Sequence, residues 1–142
     1  MSKKTKKIIV IAVVLVIAAG AAIGGYFWWD IREYNRIIDG ISLETPDLAL
    51  IQDGVFSGSF DARLVSAEVE VTMLDNLITN AVIINHDHGN WDDAVRAEVV
   101  VARVVEAQNL YVDTVANATN SSLVILAAIQ NALESAQEGL ND

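Results

Sequence analysis

Between Asp113 and Ser122 the chain reads Asp-Thr-Val-Ala-Asn-Ala-Thr-Asn-Ser-Ser, and an apolar pattern of helical period begins at once after it. A helix amino terminus offers unpaired N–H groups and the positive end of the helix dipole, so Ala118, Thr119, Asn120, Ser121 and Ser122 together suit a phosphate. Small residues at Ala116 and Ala118 let the backbone approach a ligand, and Asn117 is the non-glycine residue most tolerant of positive φ. The same run also serves as a helix cap without any ligand, with Ser121 or Asn120 as N-cap and Asp113 bracing the loop. His86 and His88 face the same way if they lie on a strand, and could share a metal with Asp92 or Asp93. Gly89-Asn90 implies a turn directly afterwards, and no third firm ligand stands out, so no metal site is predicted. The chain has no cysteine, which excludes disulfides, iron–sulfur clusters, thiol catalysis and C-x-x-C-H haem attachment; redox chemistry would need a bound cofactor. No nucleophile triad, Gly-rich nucleotide fingerprint or catalytic carboxylate pair rises above background. Two overlaps with the N-glycosylation pattern, at Asn117 and Asn120, read as coincidence.

The elements that must position these residues are legible from periodicity. No charge falls between Ile8 and Trp29, and a helix over that stretch reaches about 33 Å, enough for a hydrocarbon core of about 30 Å. Lys3, Lys4, Lys6 and Lys7 precede it and Tyr26, Phe27, Trp28 and Trp29 close it, so residues 1–7 are expected in the cytoplasm, 8–29 in the membrane and the remainder outside, as a single-pass protein. A cleaved signal peptide competes through Ala19-Gly20-Ala21, but the apolar run exceeds the usual core of about 7–15 residues. Gly20 and Gly24 form a G-x-x-x-G, a possible packing face within a membrane complex. Residues 30–52 read as stalk and linker, with Ile31, Tyr34, Ile37 and Ile38 at helical spacing, a stop at Gly40, and the single proline at Pro46.

Residues 53–142 form the folded domain. Asp53-Gly54-Val55-Phe56-Ser57-Gly58 predicts a short strand, and Val65, Ala67, Val69, Val71 and Met73 alternate with polar residues as a half-buried strand does. A turn at Asp75-Asn76 returns the chain through Leu77 to Asn85, making a hairpin. Two amphipathic segments can cover it: 92–109, whose Glu98 sits awkwardly on the apolar edge and whose Val99-Val100-Val101 run weakens helix propensity, and 121–138 with its stripe from Ile125 to Ala136. The expected fold is α+β, an antiparallel sheet covered by two helices and preceded by one transmembrane helix. Beyond Trp29 there are five arginines, no lysine and all nineteen acids, a net charge of −14. Such a surface is soluble and disfavours nucleic-acid binding.

In order and spacing, the Asp-Gly-x-aromatic-x-Gly strand, the hairpin, a His-bearing loop and the Asp113–Ser122 run followed by a helix resemble the FMN-binding domain family. That family includes the G-type subunits of Rnf complexes and the C-type subunits of sodium-pumping NADH:quinone reductases. Its Asp-x-x-Ser/Thr-Gly-Ala-Thr motif corresponds here to Asp113, Ala116, Asn117, Ala118 and Thr119; Asp113, Ala118 and Thr119 match, whereas Ala116 replaces Ser/Thr and Asn117 replaces Gly. The resemblance implies FMN, esterified through its phosphate to Thr119 by a flavin transferase that reads the motif from Asp113. It also implies a flavin contact from His86, with Asn117, Ala118, Asn120 and Ser121 around the phosphate. The function so implied is a membrane-anchored extracytoplasmic electron carrier, working beside a membrane redox complex rather than as a self-contained enzyme. The departures at Ala116 and Asn117 motivate the alternative: an anchored structural or sensory module, or complex subunit, that keeps the fold without flavin.

Overall fold

The computed structural model describes residues 1–88 and 92–138; Gly89-Asn90 and Trp91 lie outside these, as do the side chains of residues 92–94. The chain begins with one helix, α1 (Lys3–Asp39), whose apolar segment is unburied up to its aromatic end. By length and composition it is able to cross a membrane. Ser2 caps its start by accepting from the Thr5 amide, and Gly40 ends it, its N–H donating to the carbonyl of Arg36.

Three strands follow, β1 (Gly54–Asp61), β2 (Ser66–Leu74) and β3 (Leu77–Asp87), in an antiparallel sheet of order β1-β2-β3. The hairpin turn falls at Asp75 and Asn76, with φ of 53° and 63°. Two successive positive φ values match the right-handed twist of the flanking strands, and Asp and Asn are among the residues that reach them. Asp53 Oδ1 accepts from the Asp75 amide at 2.8 Å and ties the start of β1 to that turn. The five alternating residues of the central strand, Val65 to Met73, are all buried, as expected. Bulges opposite Glu68/Val69 and Thr72/Met73 shift the register of β3.

One face of the sheet is covered by helices. The segment 92–109, expected as one helix, is a 3-10 helix over Asp92–Val99 followed by α2 (Val100–Ala107). A tighter three-residue period eclipses side chains at i and i+3, which puts Ala97 and Val100 on one side, both fully buried. The break falls on the β-branched run that weakens helix propensity. The last helix, α3 (Thr119–Glu138), starts two residues before the expected point. Its stripe from Ile125 to Ala136 is buried, and so are Val124, Leu126 and Ala127 on what an isolated amphipathic helix would leave wet.

Part of that second burial comes from the stalk and linker, where Ala127 and Gln130 line a cleft with Ile37 and Ile41. Tyr34, Ile38 and Ile51 belong to the core, and Ile41, Leu43 and Leu48 pack against it. The Glu44 amide donates to Gln130 Oε1 at 2.9 Å. The core therefore extends upstream of residue 53, and α3 lies between the sheet and the amino-terminal segment. At the base of the stalk Arg63, in the β1–β2 turn, bonds Asp30 through Nε at 2.7 Å and places its guanidinium over the Trp29 ring. The hydrogen bond to Asp30 holds the Arg63 pKa above its ordinary value.

Candidate functional site

The loop between α2 and α3 carries most of the expected site, and it is built by side chains that hold backbone groups. Gln108 ends α2 at φ 56°. Its amide brackets Ile78 of β3, with Oε1 accepting from the Ile78 N–H and Nε2 donating to the Ile78 carbonyl, both at 2.8 Å. It thus occupies the place of a further strand at one position of the sheet edge. Leu110 is buried and donates its N–H to Thr45 Oγ1 at 2.8 Å. Arg103 Nη1 donates to the Asp113 carbonyl at 2.5 Å. With Glu106, exposed Tyr111, Val112 and Asp113 it lines an open groove of about 530 Å³.

The turn into α3 is closed by Ala118 N–H donating to the Val115 carbonyl at 2.9 Å. Its third residue, Asn117, has φ 64° and is exposed. Asn117 thus takes a left-handed conformation, one that asparagine tolerates better than most non-glycine residues. Ser122 staples this turn to the helix: its Oγ accepts from Val115 N–H at 3.0 Å and donates to the Ala118 carbonyl at 2.8 Å. It is fully buried. The first helical bond runs from Ser122 N–H to the Ala118 carbonyl, so the amides of Thr119, Asn120 and Ser121 precede it and have no acceptor within the helix.

The expected residues thus fall into two groups. Thr119 is exposed as the first residue of α3, Asn120 is half-buried beside it, and Ala118 and Ser121 are buried. Ser121 or Asn120 was the expected N-cap, but the capping work falls to Ser122 acting backwards on the turn, since the helix begins earlier. Asp113 enters the loop through its carbonyl and has an exposed side chain. Arg103 was missed as a site residue, and Ser122, expected beside a phosphate, is instead buried in the turn. Arg103 carried no signal beyond a polar position on a helix, whereas Ser122 stands four residues after Ala118, the spacing at which a serine hydroxyl reaches back to a carbonyl.

His86 belongs to a second group. Its side chain is 2% exposed, and Nδ1 lies 3.3 Å from Glu98 Oε1. Glu98, the awkward acid on the apolar edge of its segment, is there to meet it. A carboxylate only accepts, so in the neutral ring the proton belongs on Nδ1 and Nε2 carries the lone pair. That Nε2 is buried with no partner, and so is Nδ1 of His88. The two rings stand edge to face with centroids 5.4 Å apart. Among the described residues, the ring and polar contacts of His86 go to Glu98 and His88 and not to residues 113–122. Among the described residues, no three of His, Asp and Glu converge as a metal group.

No family model matches this chain, and no curated protein matches it. Among solved structures it is similar to the CPE2226 protein from Clostridium perfringens, at 19% identity over 65% of this chain and 93% of that one, with a TM-score of 0.48.

Proposed function

We propose that this chain is a single-span membrane protein whose extracytoplasmic domain carries FMN on Thr119 and passes electrons between a membrane reductase and an outer acceptor. The observation that carries the reading is the exposed Thr119 at the start of a 20-residue helix, directly after the left-handed Asn117. There a phosphoester would meet the free amides of Thr119, Asn120 and Ser121 at the positive end of the helix dipole. Because Asn117 already holds positive φ with its side chain exposed, the asparagine leaves the path of the turn open to a phosphate. FMN supplies the redox chemistry when bound; the protein holds the phosphate and excludes competing motion of the turn through Ser122. The lysines before the apolar helix and the aromatic residues after it support a cytoplasmic amino terminus.

The test is the intact mass of the full chain after coexpression with a flavin transferase. An FMN-sized increment, lost in Thr119→Ala and partly kept in Thr119→Ser, is expected, and Asn117→Gly should raise the loaded fraction by relieving residual αL strain and any crowding at the transferase. If Asn117→Gly remains unloaded while the transferase modifies a control substrate, covalent attachment is ruled out. A chain that also shows no change in melting temperature with saturating FMN would rule out a flavin altogether.

A second reading has an observation of its own. The turn satisfies its own polar groups, through Ser122 on Val115 and Ala118 and through Arg103 on Asp113, as a structural cap without ligand would. An anchored module that has kept the fold and lost the cofactor would give the unmodified mass in every variant.

A further inference from the structure

We propose that His86 and His88 form a two-imidazole site for a divalent transition ion of the zinc class, separate from the flavin site and independent of it. Two buried ring nitrogens without partners, on neighbouring rings, are costly, because a desolvated polar group forfeits its water without compensation. A shared ligand removes both costs at once. The donors are right for it: neutral imidazole suits zinc, copper and nickel, and Glu98 on Nδ1 of His86 is the carboxylate that characteristically orients a ligating histidine and leaves Nε2 to the metal. The spacing is right as well. With bonds of about 2.0–2.1 Å, a tetrahedral ion sets two imidazole centroids roughly 5 Å apart, and these stand 5.4 Å apart with planes inclined by 65°.

Histidines two apart on a strand project to the same side, and His86 lies within β3 with His88 one residue past its end, so the backbone delivers the pair without distortion. Among the described residues no third ligand joins them, and the pair supplies two of the four positions of a tetrahedral zinc site. It also gives Glu98 a purpose that helix amphipathicity denies it. Sequence reasoning discounted a metal for want of a third ligand; the paired orphan nitrogens and the orienting carboxylate are what it could not see.

The experiment is equilibrium dialysis of the full chain in detergent, stripped with chelator, against zinc alone, with cobalt as a spectroscopic probe. One saturable equivalent and a tetrahedral cobalt band in the visible are expected. His88→Ala, at the partly exposed partner, should weaken binding at least tenfold with an unchanged melting temperature, and Glu98→Gln by about 10–100-fold. His86→Ala should abolish it, and Thr119→Ala should leave it untouched, which separates this site from the flavin proposal. Absence of a saturable equivalent overturns the proposal, and so does zinc affinity that survives His88→Ala in a folded protein.

Discussion

Gly58 is where a single added carbon should do most damage. A Cβ built on it would lie 2.3 Å from both the Ala128 carbonyl oxygen and the Ala132 nitrogen, and 2.8 Å from Ala132 Cα. These are backbone atoms of α3, so no side chain can swing aside. Restoring a contact near 3.4 Å needs a separation of about 1 Å between helix and strand, and a gap of that size forfeits roughly a quarter to a half of each dispersion contact along the seam. Overpacking ordinarily costs about 1–3 kcal/mol; with backbone opposing backbone, Gly58→Ala belongs at or above the upper end. The same shift would stretch the bond from Asn131 Nδ2 to the Ser59 carbonyl, now 2.8 Å. At about 4–8 °C per kcal/mol for a domain of this size, the melting temperature should fall by roughly 12–24 °C. Thermal melts of the full chain in detergent, followed by circular dichroism, read this directly. Gly20→Ala and Gly24→Ala, where an added Cβ meets nothing within 4 Å, are the controls and should not lower it. A Gly58→Ala melt within 3 °C of the parent would refute the close approach of α3 to β1.

Ser122→Ala removes the hydroxyl that satisfies Val115 N–H and the Ala118 carbonyl and should cost about 1–3 kcal/mol, the penalty for a part-buried donor left unpaired, measured by urea unfolding. Flavin loading at Thr119 should fall with it if the turn positions the phosphate. Gln108→Ala strips the bracket around Ile78 and should cost a similar amount while raising hydrogen exchange at the Ile78 amide; exchange unchanged there would show the bracket to be idle. Asn117→Ala, at φ 64°, should destabilise by about 1 kcal/mol and Asn117→Gly should not, because only the first is penalised in the left-handed region.

Strand positions were legible because burial on one face imposes strict alternation, and Val65 to Met73 obey it without exception. The hairpin turn was legible because Asp75-Asn76 have the chemistry that two positive φ values demand. What the sequence hid is where elements meet. In residues 92–109 the Val99-Val100-Val101 run marked a weak point of the helix but not the change of helical pitch that falls there, and Glu98 read as a fault until its partner on β3 was known. The stripe on α3 understated its burial because periodicity reports one covering layer, whereas this helix has two. Thr119 and Asn117 were singled out through the family resemblance; His86 was grouped with them, but its contacts run to Glu98 and His88.

The second layer on α3 changes what counts as the domain. Tyr34, Ile38 and Ile51 are each at most 7% exposed and lie upstream of the first strand, so a piece starting at residue 53 would discard all three. Burying a large apolar side chain contributes about 1.5–3 kcal/mol, an upper estimate given residual collapse of unfolded chains. Three of them come to roughly 5–9 kcal/mol, as much as the whole stability of many domains, about 5–15 kcal/mol. Residues 30–138 without the apolar span should therefore fold and melt cooperatively, whereas residues 53–138 should not; two pieces melting within 5 °C of each other would show the stalk to be dispensable. If it is not, the consequence reaches the anchor. Buried Tyr34 follows Trp29 by five positions, about 7.5 Å of helix, and Arg63 clasps Asp30 between them. A domain whose core includes the stem of its own apolar helix cannot swing on a tether. If that helix is the anchor and the domain the flavin carrier proposed above, a redox partner would have to come to it at the membrane surface.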